Sequence, residues 1–220
     1  MTIKTFINRD RLKDKYGDEK VFIVPYSLTT KINDLFNPGF ENKRLAETFE
    51  HHGNFIFRYD AEYNESFQQI IPYIIIVNKN ADKIYVSERI AGEERLRHKL
   101  SFFGGHINPC DHTGLTNIVI NAAKRELNEE VNVTNLGEFY PVGTVRDKAS
   151  TTPDHLGFVY SVEVDDASIK ETDNLKGKWM TYSDVITEYS NFEGWARYII
   201  DFIFSSGQKN FSCIKKTVNI

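Results

Sequence analysis

Ala122-Ala123-Lys124-Arg125-Glu126-Leu127-Asn128-Glu129-Glu130-Val131 is the most informative run in the chain. At about 100° per residue, Ile120, Ala123, Leu127 and Val131 fall on one stripe, the expected core face of an amphipathic helix. Glu126, Glu129 and Glu130 stand at i, i+3 and i+4, so their carboxylates are expected to share a second face. Like charges at that spacing cost roughly a few tenths of a kcal/mol per pair on an exposed helix. A hard divalent cation removes that cost, because Mg²⁺ prefers carboxylate oxygens and keeps waters that phosphates can displace. The cluster alone decides little. Three glutamates on a helix surface are common, and Arg125 reaches Glu129 at i, i+4 as an ordinary helix ion pair.

Just upstream, Ser101-Phe102-Phe103-Gly104-Gly105-His106 leads into a polar loop with Asn108, Pro109, Asp111 and Gly114. Thr116 is placed to cap a helix over about 117–131. A double glycine after a strand lets backbone approach a ligand closely and exposes carbonyl oxygens. Further out, residues 70–78 and 83–88 are β-rich and separated by Asn80-Ala81-Asp82, which predicts a hairpin. Residues 21–25 predict a short strand, and 41–51 a helix ending at Gly53. Strands are expected at 139–146, 155–164 and 178–181. A closing helix is expected at 192–204, with Ile199, Ile200, Phe202, Ile203 and Phe204 as its apolar residues. The class is α/β (α+β), a mixed sheet sandwiched by helices.

Composition narrows the function. The chain has 220 residues, 40% of them hydrophobic and 13% aromatic, enough for a full core without metal or disulfide support. A net charge of −4 argues against a long nucleic acid as partner, whose binding rests on clustered basic residues. The longest apolar run, 70–77, contains Pro72 and Tyr73 and falls far short of the ~20 residues of a membrane helix. No apolar stretch near the N-terminus suits a signal peptide. Cys110 and Cys213 are too few for a disulfide framework and belong to no CxxC pair, so they are expected as free thiols in a reducing compartment, the cytoplasm.

The glycine turn followed by Arg-Glu-Leu-x-Glu-Glu resembles the box of the Nudix hydrolases, G-x5-E-x7-R-E-U-x-E-E-x-G-U with U aliphatic. Arg125, Glu126, Leu127, Glu129, Glu130 and Val133 match its second half in order. The chain departs from the pattern in three places. Between Gly105 and Arg125 it is longer by about six residues. Asn117 stands where the pattern has its first Glu, and Asn132 where it has its late Gly. Asn tolerates the left-handed conformation that such a Gly supplies. Segments 67–73, 92–99 and 192–195 also resemble a bacterial Nudix branch described as phosphoesterases, extending the likeness over about 20–205. The resemblance implies a Nudix-type α/β/α sandwich with a mixed central sheet. It implies one domain over 1–220, with an N-terminal extension of about 1–65 packed on the core.

The resemblance further implies hydrolysis of a diphosphate linkage in a small nucleotide-like substrate, dependent on Mg²⁺ or Mn²⁺. Glu126, Glu129 and Glu130 would be metal ligands, joined by the Gly104 carbonyl. Arg125 would orient a carboxylate. Arg97, in the basic run Arg95, Arg97, His98 and Lys99, is a candidate for holding a substrate phosphate, against its reading as a solvated strand edge. His106 and His155 are candidate pocket residues, with structural histidines as the plainer explanation. No second His or Cys lies at ligand spacing from either, so no zinc site is expected. Trp179 and Trp195 are expected in the core. Family members are often dimers, so a homodimer is one assembly the resemblance allows. The competing function is a non-catalytic Nudix-fold module that binds a nucleotide or a partner, favoured by Asn117 and the lengthened loop and opposed by the intact Arg-Glu-Leu-x-Glu-Glu.

Overall fold

A computed structural model describes residues 9–39, 42–91, 97–114, 117–148, 154–170 and 172–216. In chain order the elements are α1 (Arg9–Tyr16), β1 (Lys20–Pro25), β2 (Leu35–Pro38), α2 (Asn42–His52), β3 (Asn54–Phe57), α3 (Arg58–Ala61), β4 (Phe67–Asn78) and β5 (Lys83–Arg89). There follow β6 (Leu100–Ser101), β7 (Phe103–Gly104), α4 (Ile118–Glu130), β8 (Val131–Thr134), β9 (Phe139–Arg146) and β10 (His155–Val164). The last are β11 (Asp166–Ile169), β12 (Leu175–Thr181), α5 (Tyr182–Thr187), α6 (Gly194–Ser205) and α7 (Cys213–Lys216).

The spine of the sheet is β4, buried along nearly its whole length. A near-continuous run of Ile and Val is what a strand covered on both faces requires. One edge of β4 pairs in parallel with all of β10, Gln69 opposite His155 through Asn78 opposite Val164. Its other edge is shared antiparallel among β1, β7 and β5. Pro72, which has no N–H to donate, sits between the β1-paired and β7-paired segments of that edge, where the ladder is already interrupted. The main order is β12-β5-β4-β10-β9-β2, with every pairing but β4–β10 antiparallel, and β8 and β11 form a separate ribbon.

Alternation along the strands assigns the two faces. Ile70, Ile74, Ile76, Leu156, Phe158, Tyr160 and Val162 pack with Ala46 and Phe49 of α2 and with Val119, Ala122, Ala123 and Leu127 of α4. Tyr73, Ile75, Val77 and Val159 face the other way, onto Ala196, Ile199, Ile200 and Ile203 of α6 and Val185 of α5. The result is an α/β/α sandwich around a mixed sheet. Among the described residues no helix is long and apolar enough to cross a membrane.

Candidate functional site

The helix anticipated from the glutamate run is α4, which packs on the sheet beneath the β7 turn. Thr116 lies outside the described residues. The observed N-cap is Asn117, whose side-chain oxygen accepts from the Val119 N–H at 2.9 Å. The core stripe of α4 differs from the expected one. Val119, Ala122, Ala123 and Leu127 are buried, Ile120 is only half-buried, and Glu126 joins the buried stripe. The three glutamates differ in burial, Glu126 being buried, Glu130 half-buried and Glu129 exposed. Glu126, seven positions from Val119 and four from Ala122, turns inward, whereas Glu129 stays exposed at its outer edge.

Glycine explains how a carboxylate is accommodated there. A Cβ on Gly105 would lie 2.5–2.6 Å from the Glu126 carboxylate atoms, so the absent side chain is the space the carboxylate occupies. Gly104 answers a different need. Its φ of +150° and its passage over β4, where a Cβ would come 2.1 Å from the Pro72 carbonyl oxygen, both exclude a side chain.

Arg125 ties the arrangement together. Its Nε and Nη2 donate to Asp111 Oδ1 and Oδ2 at 2.9 and 3.0 Å, its Nη1 to Glu126 Oε1 at 2.8 Å and Glu129 Oε2 at 2.9 Å, and its Nη2 also to the His106 carbonyl at 2.8 Å. Asp111, on a 3-10 turn at Pro109–Asp111, comes from the loop that lengthens the chain ahead of the helix. Its carboxylate is only 3% exposed and also accepts from the Asn108 N–H. Burial pushes the Glu126 carboxyl up from the ordinary range, and the neighbouring Arg125 charge only partly offsets that. Burial works against the Arg125 cation as well, but the Asp111 hydrogen bonds and the Glu126 charge raise its pKa regardless.

Above this knot opens a cavity of about 390 Å³, lined among others by Gly104, Gly105, His106, Glu130 and His155. Arg97 is exposed and is not among its lining residues, which take their cations from Arg89 and Lys99. Arg95 lies outside the described residues. Trp195, expected in the core, lines the cavity and meets Tyr73 edge-on at 5.6 Å, while Trp179 packs against Tyr85. Below the aromatic wall, Tyr73 Oη donates to Glu193 Oε1 at 2.8 Å, and Ser101 Oγ donates to the same oxygen at 2.5 Å. Burial, and then the Glu193 charge, push the Tyr73 phenol well up.

The structure also corrects the expectation that the histidines have no ligating company. His106 and His155 meet edge-to-face at 5.5 Å between ring centroids. Glu62, at the C-cap of α3, joins them, and one ligating atom of each lies within 4.8 Å of the others. Burial, then the positive charge of Arg58, hold the His106 imidazole pKa well below its usual value. Glu62 carries no motif, and nothing in its local sequence signals this meeting.

No protein-family model matches the chain. Among solved structures it is similar to Tm1382, assigned to the Nudix hydrolases, at a TM-score of 0.72 and 22% identity over 86% of this chain and 100% of that one. It is similar also to DR0079 from Deinococcus radiodurans, at a TM-score of 0.50 and 16% identity over 84% and 98% of the two chains. With the sandwich and the Arg-Glu-Leu-x-Glu-Glu helix in place, the protein has the fold of the Nudix hydrolase structures. The chain belongs to the family of protein YmaB of Bacillus subtilis, being 30% identical over 203 residues that span 84% of this chain and 98% of the relative.

Proposed function

We propose that the chain is a Nudix-type hydrolase that cleaves a diphosphate linkage in a small nucleotide-like substrate, a nucleoside diphosphate joined to another moiety. The observation that carries this reading is the Arg125 knot, which holds Glu126 under Gly105 at the cavity that Glu130 lines. The donors available to Mg²⁺ or Mn²⁺ are hard oxygens, those of Glu126, Glu129, Glu130 and the Gly104 carbonyl, and the missing Cβ of Gly105 leaves room for the Glu126 carboxylate beside the glycine turn. They fit such an ion. Once bound, it polarises a phosphoryl oxygen and lowers the pKa of the attacking water. Arg125 holds two of the carboxylates in place, Arg89 and Lys99 supply positive charge for the diphosphate, and the Trp195 face suits an aromatic base. The cavity has the size of a small-molecule site.

We read residues 1–220 as one unit, since β1 and β2 pair into the same sheet as β4 and β9. We read it as cytoplasmic, with free thiols at Cys110 and Cys213, and as a homodimer, an assembly that sedimentation would check. The test of the activity is turnover with Mg²⁺ against a panel of nucleoside diphosphate derivatives, assayed for phosphate products. Glu130→Gln keeps the shape and removes a charge, so it is expected to lower kcat by about 100-fold or more with unchanged circular dichroism. Wild-type rates in that variant reject the assignment, and no product from any substrate, with Mn²⁺ also tried, turns the reading to a binding module.

A further inference from the structure

Glu62, His106 and His155 reach one point from the end of α3, the turn after β7 and the first residue of β10. Glu62 and His155 are each 8% exposed. The Nε2 atom of His106 is sealed from solvent and has no hydrogen-bond partner among the described residues. A buried, unpaired imidazole nitrogen is costly and asks for a ligand.

The surroundings are those of ligating side chains. His155 Nδ1 lies 3.2 Å from Asp154 Oδ1, and Asp154 is itself held by the Gln69 side-chain amide and the Tyr63 N–H, both at 2.9 Å on Oδ2. A carboxylate on one imidazole nitrogen fixes the ring and leaves the lone pair on the other for a metal. Glu62 Oε1 accepts from Arg58 Nε at 3.0 Å, which orients that carboxylate. Arg58 also pairs with Glu19, so one guanidinium lies between two carboxylates, Glu19 and Glu62.

We propose that Glu62, His106 and His155 bind a transition-metal dication of the zinc class, in a three-ligand site whose remaining position opens on the cavity that both histidines line. Two imidazoles and a carboxylate suit Zn²⁺ or Co²⁺, whereas Mg²⁺ selects oxygen donors. Ligand atoms about 2.1 Å from a tetrahedral ion stand about 3.4 Å apart, so atoms now within 4.8 Å of one another close by at most about 1.4 Å on binding. Its three ligands include none of the carboxylates of the box, and the site does not depend on the hydrolase reading.

The test is titration of chelator-treated protein with Co²⁺ in excess Mg²⁺. One equivalent is expected to bind with the visible absorption of a low-coordinate ion and to be displaced by Zn²⁺. Glu62→Gln should weaken binding by at least tenfold and Asp154→Asn by about 10–100-fold, with Glu130→Gln unchanged. Because a buried variant can fail to fold, the wild-type protein supplies a second readout. In long-range ¹H–¹⁵N spectra, Zn²⁺ should move the ring nitrogens of two of the six histidines. Absence of the Co²⁺ spectrum in wild-type protein, unmoved imidazoles, or a spectrum kept by Glu62→Gln and lost by Glu130→Gln would each overturn the proposal.

Discussion

Arg125 commits its five N–H groups to five acceptors: two oxygens of Asp111, one each of Glu126 and Glu129, and the His106 carbonyl. The helix ion pair with Glu129 is readable from i, i+4 spacing. Asp111 is not, because in the sequence it is one polar residue in a polar loop. Asp111→Asn keeps the shape and removes the charge; with Arg125 19% exposed, the expected loss is about 2 kcal/mol, less than for a fully buried pair, read by urea unfolding. His106 makes a pH prediction. Its folded pKa is lowered, so the unfolded chain binds the proton more tightly, and stability present above the ordinary imidazole value of about 6.5 is lost as pH falls below it. His106→Gln should remove that part of the acid destabilisation in metal-free protein, as followed by unfolding midpoints between pH 7 and 5.

At the scale of the element, α4 shows what patterning reaches. Its existence and span follow from 3.6-residue periodicity, while its cap and the inward turn of Glu126 follow from where it docks. Asn117→Ala should cost about 1 kcal/mol by releasing the Val119 N–H, with Asn117→Asp near wild type, both measured by denaturant titration. β4, β5, β9, β10 and α6 were legible because each carries enough apolar residues to declare its period. The four-residue elements β2, β3, α3 and β8 were not, since such short segments exist by virtue of their partners, as β3 does beside β1 and β2 beside β9.

For the whole molecule, the cavity exists because β4, the β6–β7 turn and the start of α6 enclose it together. Trp195 closes it from α6, so Trp195→Ala is expected to raise KM by about tenfold, the loss of one stacking face, with kcat near wild type in steady-state kinetics. Equal losses in kcat would assign the ring a structural duty instead. The glutamate helix, the apolar runs of β4 and β10 and the glycine turn were determined by the sequence alone, because each is a relation among near neighbours in the chain. The meeting of Glu62, His106 and His155, the grip of Asp111 on Arg125 and the placing of Trp195 rather than Trp179 at the cavity were decided only by tertiary structure. Periodicity reports which face a residue takes. Which distant faces then meet depends on how strands pair across the sheet and where loops return, and no local pattern encodes that.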